Sequence, residues 1–359
     1  MAPAQSDQKN EYSDPSGHVP VLLKEVLQQS EQTRSDLRRP LNWILDFTFG
    51  RGGHTRALLA QQASARAVVG DRDPQAIAAA DRLRQDLAPG RLIVEKRSFA
   101  EWVEPNGLLS IPTQIQQSVA ANGGFDFILL DLGVSSPQLD QPDRGFSFYS
   151  NGPLDMRMDP TRGPTARDIL MAAEATELRR IFVELGEVHQ PDRVVSKIMQ
   201  VRSESSLQTT SELARLIEST DGWRVKGFHP ATQYFMALRM YVNQELDEIR
   251  AVLPAALSAL SPNGRLAVIS FHSHEDRMVK ALFRKIDDCR GLPCEVSAQG
   301  NTVVFRGSSP QRKAIQPTDD EVQLNPRSRS AKLRVMRRMG VDEPAKGKNK
   351  YAHLKGGSS

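Results

Sequence analysis

Short apolar runs alternate with helical stretches along the first 135 residues, and this order restricts the chain to few folds. The runs cover 41–47 (LNWILDF), 65–71 (ARAVVGD), 91–99 (RLIVEKRSF) and 125–133 (FDFILLDLG). Runs of this kind are typical of parallel strands that are buried on both faces. Helices are predicted between them, from about Thr55 to Gln62 and, after the cap and first-turn proline Asp73 and Pro74, through Leu87. The pattern predicts a doubly wound α/β sheet, whose ligands bind outside the carboxyl ends of the strands.

The pattern changes after the fourth strand. Between 137 and 237 no apolar strand is evident, but helical stretches cover 175–188, 192–202 and 211–220. The alternation resumes with a long helix over 237–260, a strand over 266–272 and a helix from about Glu275. We therefore predict a main domain made of 17–136 and 238–324 and an inserted helical substrate-recognition domain over 137–237. A cleft between two such bodies is a natural place for a substrate.

The two ends of the chain differ in composition from the rest. Residues 1–16 are polar and are predicted to form a disordered tail. Between 325 and 359, ten Lys and Arg and two acids give a net charge of +8, so the preceding 324 residues contribute −4 to the total of +4. This basic C-terminal tail could follow a phosphate backbone, or it could be only a solubilising, disordered terminus. The glutamine-rich segment 111–124 is interpreted as a surface insertion.

Composition also argues against several classes of protein. No apolar run approaches the roughly 20 residues of a membrane helix, and the first 16 residues lack the apolar segment of a secretory signal. A cytoplasmic location without a membrane partner is therefore expected. The two cysteines, Cys289 and Cys294, are too few for a structural zinc site or a disulfide framework and are interpreted as ordinary thiols. No metal site is predicted.

Three glycines follow the first strand in DFTFGRGGHT (46–55). Glycine permits positive φ angles and close backbone approach, and the helix that follows offers free N–H groups to an anionic group. Asp71 ends the second run, where an acid commonly receives the hydroxyls of an adenosine ribose. A glycine turn with such an acid fits NAD and S-adenosylmethionine alike, and glycines after a strand also serve merely to pack a helix.

Three features favour S-adenosylmethionine. The glycine pattern is G-x-G-G and not the G-x-G-x-x-G of dinucleotide folds. The chain after the fourth strand continues into the helical insertion, where a nicotinamide enzyme would have a second mononucleotide-binding half. The run ILLDLGVSSPQLD (128–140) places Asp131 at the end of the fourth strand beside a Gly-Val-Ser-Ser-Pro loop, where a methyl acceptor would lie. The predicted fold is a Rossmann-like S-adenosylmethionine-dependent methyltransferase sheet with an inserted helical domain.

Several long blocks make the chain resemble the bacterial ribosomal RNA small-subunit methyltransferase H (MraW) family over roughly 17–338. The blocks are HVPVLLKEVL, TFGRGGHT, GDRDPQAI, LLDLGVSSPQLD, RGFSFYSNGPLDMRMDPTRG, HPATQYFMALRMYVNQEL, NGRLAVISFHSHEDR and NPRSRSAKLR. The resemblance implies methylation of the exocyclic N4 of a cytidine in 16S ribosomal RNA, with S-adenosylmethionine as the donor. Two positions depart from the family pattern, Phe47 where a small residue is usual and His274 where a leucine is usual.

The resemblance also implies a set of cofactor contacts. Carried onto this chain they are Gly52, Gly53, His54, Asp71, Phe99, Asp131 and Gln138. Gly52 and Gly53 would let the turn approach the methionine portion of the cofactor, whose carboxylate favours a helix start. Asp71 would bind the ribose hydroxyls. Phe99 would lie against the adenine, although plain core packing explains an aromatic there equally well.

The implied reaction requires orientation more than a strong base. A cytosine amine is a poor nucleophile because its lone pair is delocalised, so the enzyme must hold it in line with the methyl group at about 3 to 3.5 Å. Asp131, Ser135 and Ser136 are the predicted catalytic residues, and the Ser-Ser-Pro loop is expected to form part of the base pocket. His272 and His274 are left out of this prediction because structural histidines are commoner than catalytic ones.

RNA recognition is assigned to the insertion and to the basic tail. Arg144 and Arg157 are the predicted RNA contacts, and basic and aromatic residues interleave around them. These are Arg162, Arg167, Phe146, Phe148 and Tyr149. They suit phosphate contacts and stacking of an extruded base, although packing of the insertion accounts for the aromatics equally well. A nicotinamide dehydrogenase and a non-catalytic RNA-binding factor stay open as alternatives, as does a homodimer.

Overall fold

A computed structural model describes residues 19–204, 207–222, 229–298 and 301–345. The chain divides into two compact units. Of the described residues, those up to Asp71, those in Ala79–Leu132 and those from Arg250 onward form unit 1, and those in Arg72–Ala78 and Gly133–Ile249 form unit 2. The N-terminal tail predicted over 1–16 lies outside the described residues.

Unit 1 contains the central sheet and a separate hairpin. The strands are β1 (Trp43–Asp46), β2 (Arg66–Asp71), β3 (Leu92–Lys96), β4 (Phe125–Asp131), β5 (Leu260–Ser270), β6 (Cys294–Ala298), β7 (Asn301–Phe305), β8 (Gly307–Ser308) and β9 (Lys332–Arg338). The sheet has the order β3-β2-β1-β4-β5-β9-β8, and β6 pairs with β7 alone. The five strands from β3 to β5 are parallel, and β9 runs antiparallel to both of its neighbours. This confirms the predicted α/β class.

Helices connect these strands and form most of unit 2. They are α1 (Leu23–Leu37), α2 (Gly53–Gln61), α3 (Pro74–Asp86), α4 (Thr113–Ala121), α5 (Ser136–Asp140), α6 (Ala166–Ala172), α7 (Ala175–Glu184), α8 (Asp192–Glu204), α9 (Thr210–Asp221), α10 (Ala231–Val242), α11 (Glu245–Ser258), α12 (Ser273–Asp288) and α13 (Asp319–Leu324). Short 3₁₀ turns cover Ala100–Trp102, Pro142–Arg144 and Pro326–Ser330. Within the described ranges, none of these helices has the length and apolar character needed to cross a membrane.

Each unit has its own apolar core. In unit 1 the sheet contributes residues such as Ile44 and Phe127, and α2 packs Leu58 against them. In unit 2, α7 places Leu178, Ile181 and Phe182 on one buried face at helical spacing. Burying a side chain of this size contributes about 1.5 to 3 kcal/mol, so these apolar faces hold the helices in place.

One buried carboxylate anchors the start of the parallel sheet. Asp126 in β4 is fully buried and accepts two hydrogen bonds from the guanidinium of Arg39, at 3.0 and 2.9 Å. It also accepts from the backbone N–H of Asn42 at 2.7 Å and from the hydroxyl of Ser261 at 2.7 Å. The carboxylate therefore ties the beginnings of β1, β4 and β5 together.

One helix, within the segment 111–124, was not predicted, and one predicted helix was wrong in its extent. The glutamine-rich segment 111–124 contains α4, which buries Ile115 and Val119 at a spacing of four residues. The helix expected over 237–260 is two helices, because Gln244 adopts a positive φ of 52° between α10 and α11. The amide of Asn243 marks this break, since it donates hydrogen bonds to the carbonyls of Met156 and Arg239.

The prediction of a basic tail over 325–359 was wrong for the part that forms β9. This strand lies between β5 and β8 and buries Leu333, Val335 and Met336. Arg334 and Lys332 both contact the carboxylate of Asp276, at 2.7 and 3.2 Å. The sequence analysis counted the cationic residues of this segment and missed the strand. Over 332–335 these cationic side chains alternate with apolar ones, which is the period of a β-strand. Residues 346–359 lie outside the described part of the chain.

Candidate functional site

The carboxyl ends of three neighbouring parallel strands gather several of the predicted site residues in unit 1. β1 lies between β2 and β4 and pairs with both. Asp71 ends β2, Asp131 ends β4, and the glycine turn follows β1. Ligands of open α/β sheets bind at this edge. The structure therefore brings the glycine turn and the two predicted acids to the same edge of the sheet.

The glycine turn is shaped by the protein's own side chains. Gly52 has a φ of +78°, and a Cβ added there would lie 2.3 Å from the ring of Phe49. A Cβ on Gly53 would lie 2.3 Å from Cγ of Pro20. The backbone N–H of Gly50 donates to Oδ2 of Asp71 at 2.9 Å. These glycines are thus required for packing, and Asp71 holds the turn in addition to any contact with a ligand.

Asp46 lies beneath the turn and was not among the predicted site residues. Its side chain is buried and accepts hydrogen bonds from the hydroxyl of Thr55 at 2.6 Å and from the N–H of Thr48 at 3.0 Å. Burial raises the pKa of Asp46, and the two threonines oppose that rise. The hydroxyl of Thr48 also accepts a hydrogen bond from the N–H of Asp131 at 2.6 Å. The network fixes the end of β4 relative to β1. The only sequence signal for Asp46 was its position as an acid at the end of an apolar strand.

His54 is buried in the first turn of α2, and its surroundings fix its tautomer. Its Nε2 lies 3.0 Å from the carbonyl oxygen of Val21. A carbonyl oxygen only accepts, so Nε2 carries the proton and Nδ1 presents a lone pair. Burial lowers the pKa of His54 to about 4, although the bond to Val21 acts in the opposite direction. The imidazole is therefore neutral near pH 7, with Nδ1 facing Oδ2 of Asp131 at 3.6 Å.

Asp131 is the least satisfied of the predicted residues. Its Oδ1 is buried and has no hydrogen-bond partner within the described part of the chain, whereas 25% of its side-chain surface is exposed. Burial raises the pKa of Asp131 well above its ordinary value, and the nearby carboxylates of Asp46 and Glu275 raise it further. A cation or N–H donor brought by a ligand would satisfy such a carboxylate. The site therefore fits a cofactor that carries positive charge.

Phe99 lies at the edge of an aromatic cluster and does not end the third strand. β3 ends at Lys96, and Phe99 precedes the 3₁₀ turn that carries Trp102. Its ring packs edge-on against Phe47 at 6.2 Å, and Phe47 packs against Trp102 at 5.4 Å. The bulky Phe47, unusual for the resembled family, is thus completely covered in this cluster. Phe99 is half-buried, which leaves part of its ring available to a planar ligand.

In unit 2, the predicted residues Gln138 and Arg144 meet at Asp73. Oδ2 of Asp73 accepts from Nε2 of Gln138 at 2.8 Å and from Nη1 of Arg144 at 2.9 Å. Arg144 also donates to the carbonyls of Arg157 and Met158 and is buried. A guanidinium held in this way organises the unit, and the RNA contact expected of Arg144 stays a prediction.

The remaining predicted residues of unit 2 are divided between a helix start and the surface. Ser135 caps α5, and its N–H donates to Oε1 of Gln138 at 3.0 Å, while Ser136 is the first residue of that helix. Arg157 is half-buried and forms a bidentate pair with Asp155 at 2.8 and 2.7 Å. The catalytic roles of the two serines and the RNA contact of Arg157 stay predictions.

His272 and His274 lie at the start of α12. His272 is the N-cap residue, and its Nε2 lies 3.2 Å from Oε1 of Glu275. Glu275 is fully buried and accepts a hydrogen bond from the N–H of Phe271 at 2.9 Å. The position of His272 is that of a helix cap.

A groove of about 870 Å³ runs along α1, away from these residues. Its lining includes Lys24, Arg34, Arg38 and Arg39 and contains none of the predicted site residues. Arg34 pairs with Glu31 and Arg39 with Asp126. The groove is therefore distinct from the strand-end site.

Known proteins resemble this chain at two levels. The crystal structure of the N-methyltransferase NodS from Bradyrhizobium japonicum in complex with S-adenosyl-L-homocysteine superposes with a TM-score of 0.35 at 10% identity, covering 88% of this chain and 85% of that one. The ribosomal RNA small subunit methyltransferase H of Bdellovibrio bacteriovorus is 46% identical over 330 residues, which are 92% of this chain and 90% of the relative. The protein of the same name from Pseudoalteromonas atlantica is 40% identical over 90% of this chain and 98% of its own length.

The match extends to a family model. The model of the MraW methylase family covers residues 15–339, which include all of unit 2, most of unit 1 and strand β9. With this match and with relatives at 40 to 46% identity over nine-tenths of its length, the chain belongs to the MraW methylase family.

Proposed function

We propose that this chain is an S-adenosylmethionine-dependent methyltransferase that modifies the exocyclic N4 amine of a cytidine in 16S ribosomal RNA of the small ribosomal subunit. Membership of a methylase family and relatives named ribosomal RNA small subunit methyltransferase H support the reaction class and the substrate class. The observation that carries the proposal is made at the end of β4, at the same sheet edge as the glycine turn. There Asp131 presents a buried carboxylate oxygen that has no hydrogen-bond partner in the described ranges.

The residues of unit 1 suit S-adenosylmethionine by their chemistry. When bound, this cofactor supplies an electrophilic methyl group on a positively charged sulfur. The helix start at Gly53 offers backbone N–H groups to its carboxylate. Asp71 would accept from the ribose hydroxyls, and the half-buried ring of Phe99 would cover a face of the adenine. Asp131 would accept a hydrogen bond from an amine, of the cofactor or of the acceptor base. The cofactor contacts expected of His54 and Gln138 stay predictions.

The acceptor amine needs orientation and an outlet for a proton. A carboxylate that accepts one N–H bond directs the nitrogen lone pair and stabilises the positive charge that develops on the nitrogen during attack. Asp131 suits this role because Thr48 fixes its backbone and one of its oxygens has no partner among the described residues of the protein. The hydroxyls of Ser135 and Ser136 are the second candidates, as the sequence predicts.

RNA binding would use an exposed aromatic ring of unit 2. Tyr149 is 83% exposed, and its ring stacks on Phe148 at 4.7 Å with an interplanar angle of 34°. Phe148 in turn contacts His229 at 4.6 Å and Phe235, a core residue, at 5.0 Å. An exposed ring on a rigid stack suits an unpaired base. Phe146 and Phe148 are covered more than Tyr149, so their main role is packing.

Methyl transfer to unmodified small subunits tests this function. Purified protein, labelled S-adenosylmethionine and subunits from a strain without the modification should give one labelled cytidine, and mass spectrometry should locate the methyl group on N4. Asp131→Asn should lower the rate by about two orders of magnitude or more if it removes one aimed acceptor.

The exposed Asp86 near the end of α3 offers a matched control. Asp86→Asn should leave the rate unchanged. Binding of subunits without any methyl transfer would favour a non-catalytic RNA-binding protein. Protection from heat by NADH but not by S-adenosylhomocysteine would favour a dehydrogenase.

A further inference from the structure

The contact between His54 and Asp131 brings two hydrogen-bond acceptors face to face. Val21 holds the imidazole proton on Nε2, so the lone pair of Nδ1 points toward Oδ2 of Asp131 at 3.6 Å. An ionised Asp131 would present a second lone pair to it. Such a pair is repulsive unless one of the two atoms gains a proton. His54 cannot supply it without becoming a buried cation.

The surroundings of Asp131 add negative charge. Three elements supply the titratable groups that act on it, namely Asp46 of β1, Glu275 of α12 and His54 of α2. Two of these groups are acids, and the third is a neutral imidazole. The other oxygen of Asp131, Oδ1, is buried and has no donor among the residues that the structure describes. Ionisation of Asp131 is therefore opposed from both of its oxygens.

We propose that Asp131 holds a proton on its carboxyl group when no cofactor is bound, and that cofactor binding releases this proton to the solvent. The inference rests on the proposed function for the identity of the cofactor. The neutral acid needs no donor at Oδ1 and can donate to Nδ1 of His54 after a small approach. A cofactor ammonium or sulfonium brings the positive charge that an ionised carboxylate requires. The O–H bond of Asp131 breaks, and its proton passes to buffer.

The geometry gives His54 a positioning role. It contacts the reacting region through Asp131. The tautomer of His54 determines whether its Nδ1 presents a lone pair or an N–H donor to Asp131. Because the Nε2 proton is held by the Val21 carbonyl, Nδ1 of His54 can accept a hydrogen bond from a protonated Asp131 but cannot donate one to an ionised Asp131. The residue therefore sets the protonation of the free site.

Titration calorimetry of the full chain measures the released proton. S-adenosylhomocysteine and S-adenosylmethionine are titrated in buffers of different ionisation enthalpy at pH 6 and pH 8, and the slope of observed heat against buffer enthalpy counts protons. We expect about one proton released per cofactor when Asp131 starts protonated, less at pH 8 than at pH 6, and about none for Asp131→Asn. The neutral fragment 5′-methylthioadenosine should release none.

If Asp131→Asn binds the cofactor poorly, a measurement on the free protein still tests the proposal. Carboxyl ¹³C NMR of the free protein, with Asp131→Asn to assign the signal, should show Asp131 protonated at pH 6. An Asp131 signal that is ionised at pH 6, cofactor binding without proton exchange, or equal release by 5′-methylthioadenosine would each overturn the proposal. Absence of any cofactor binding, with a protonated Asp131 signal, would instead contradict the proposed function.

Discussion

Replacing His54 with glutamine should change how stability depends on pH. The pKa of His54 is about 4 in the folded protein and has an ordinary value of 6.5 in the unfolded chain. Between these values the unfolded chain binds more protons, so the free energy of unfolding falls as the pH decreases from 6.5 toward 4. At about 1.36 kcal/mol per pKa unit, His54 lowers the free energy of unfolding by about 2 kcal/mol as the pH falls from 7.5 to 5. The decrease reaches about 3 kcal/mol in the acid limit.

His54→Gln keeps an N–H donor for the Val21 carbonyl but does not titrate. Urea denaturation measures the free energy of unfolding of wild type and of His54→Gln. From pH 7.5 to pH 5 the variant should therefore become about 2 kcal/mol more stable relative to the wild type. His189→Gln replaces an exposed histidine and serves as the matched control, for which the shift should be small. An equal difference at both pH values for His54→Gln would refute the reasoning, because His54 would then titrate like an exposed histidine.

Three further substitutions test the fold and the RNA surface. Asp126→Ala should lower the free energy of unfolding by about 2 kcal/mol, because the Ser261 hydroxyl and other donors lose a buried acceptor, whereas Arg39 can turn to solvent; urea denaturation that shows no loss would contradict this. Leu333→Ala should cost about 2 to 5 kcal/mol as a core truncation in β9, with the exposed Leu324→Ala as a near-neutral control; equal effects would place β9 outside the core. Tyr149→Ala should weaken small-subunit binding by about 1 to 3 kcal/mol while Tyr149→Phe retains it; filter binding with equal affinity for both variants would exclude stacking.

Local sequence patterns were enough to predict the parallel strands of the sheet and the residues that gather at their carboxyl ends. The apolar runs that contain Asp71 and Asp131 are strands β2 and β4, because parallel strands that are buried on both faces are mostly apolar. The glycine turn after β1 followed from the same logic. These features depend on residues that are neighbours along the chain, so the sequence alone reveals them.

Features that depend on distant residues were not predictable. The glycine at 53 is required by the distant Pro20, and Arg144 is buried because it meets Asp73, 71 residues away. The residues of β9 were interpreted as part of a basic tail, because nothing in the neighbouring sequence indicates that they pair with β5. Such pairings follow from packing in three dimensions and leave only a weak trace in the sequence.

A crystal structure of the protein with S-adenosylhomocysteine tests the central claim most directly. The account predicts the ligand at the carboxyl ends of β1, β2 and β4, with Asp71 on the ribose hydroxyls and Oδ1 of Asp131 within hydrogen-bond distance of a ligand or acceptor amine. Ligand density in the groove along α1, or at the strand ends with both acids turned away from it, would contradict the account.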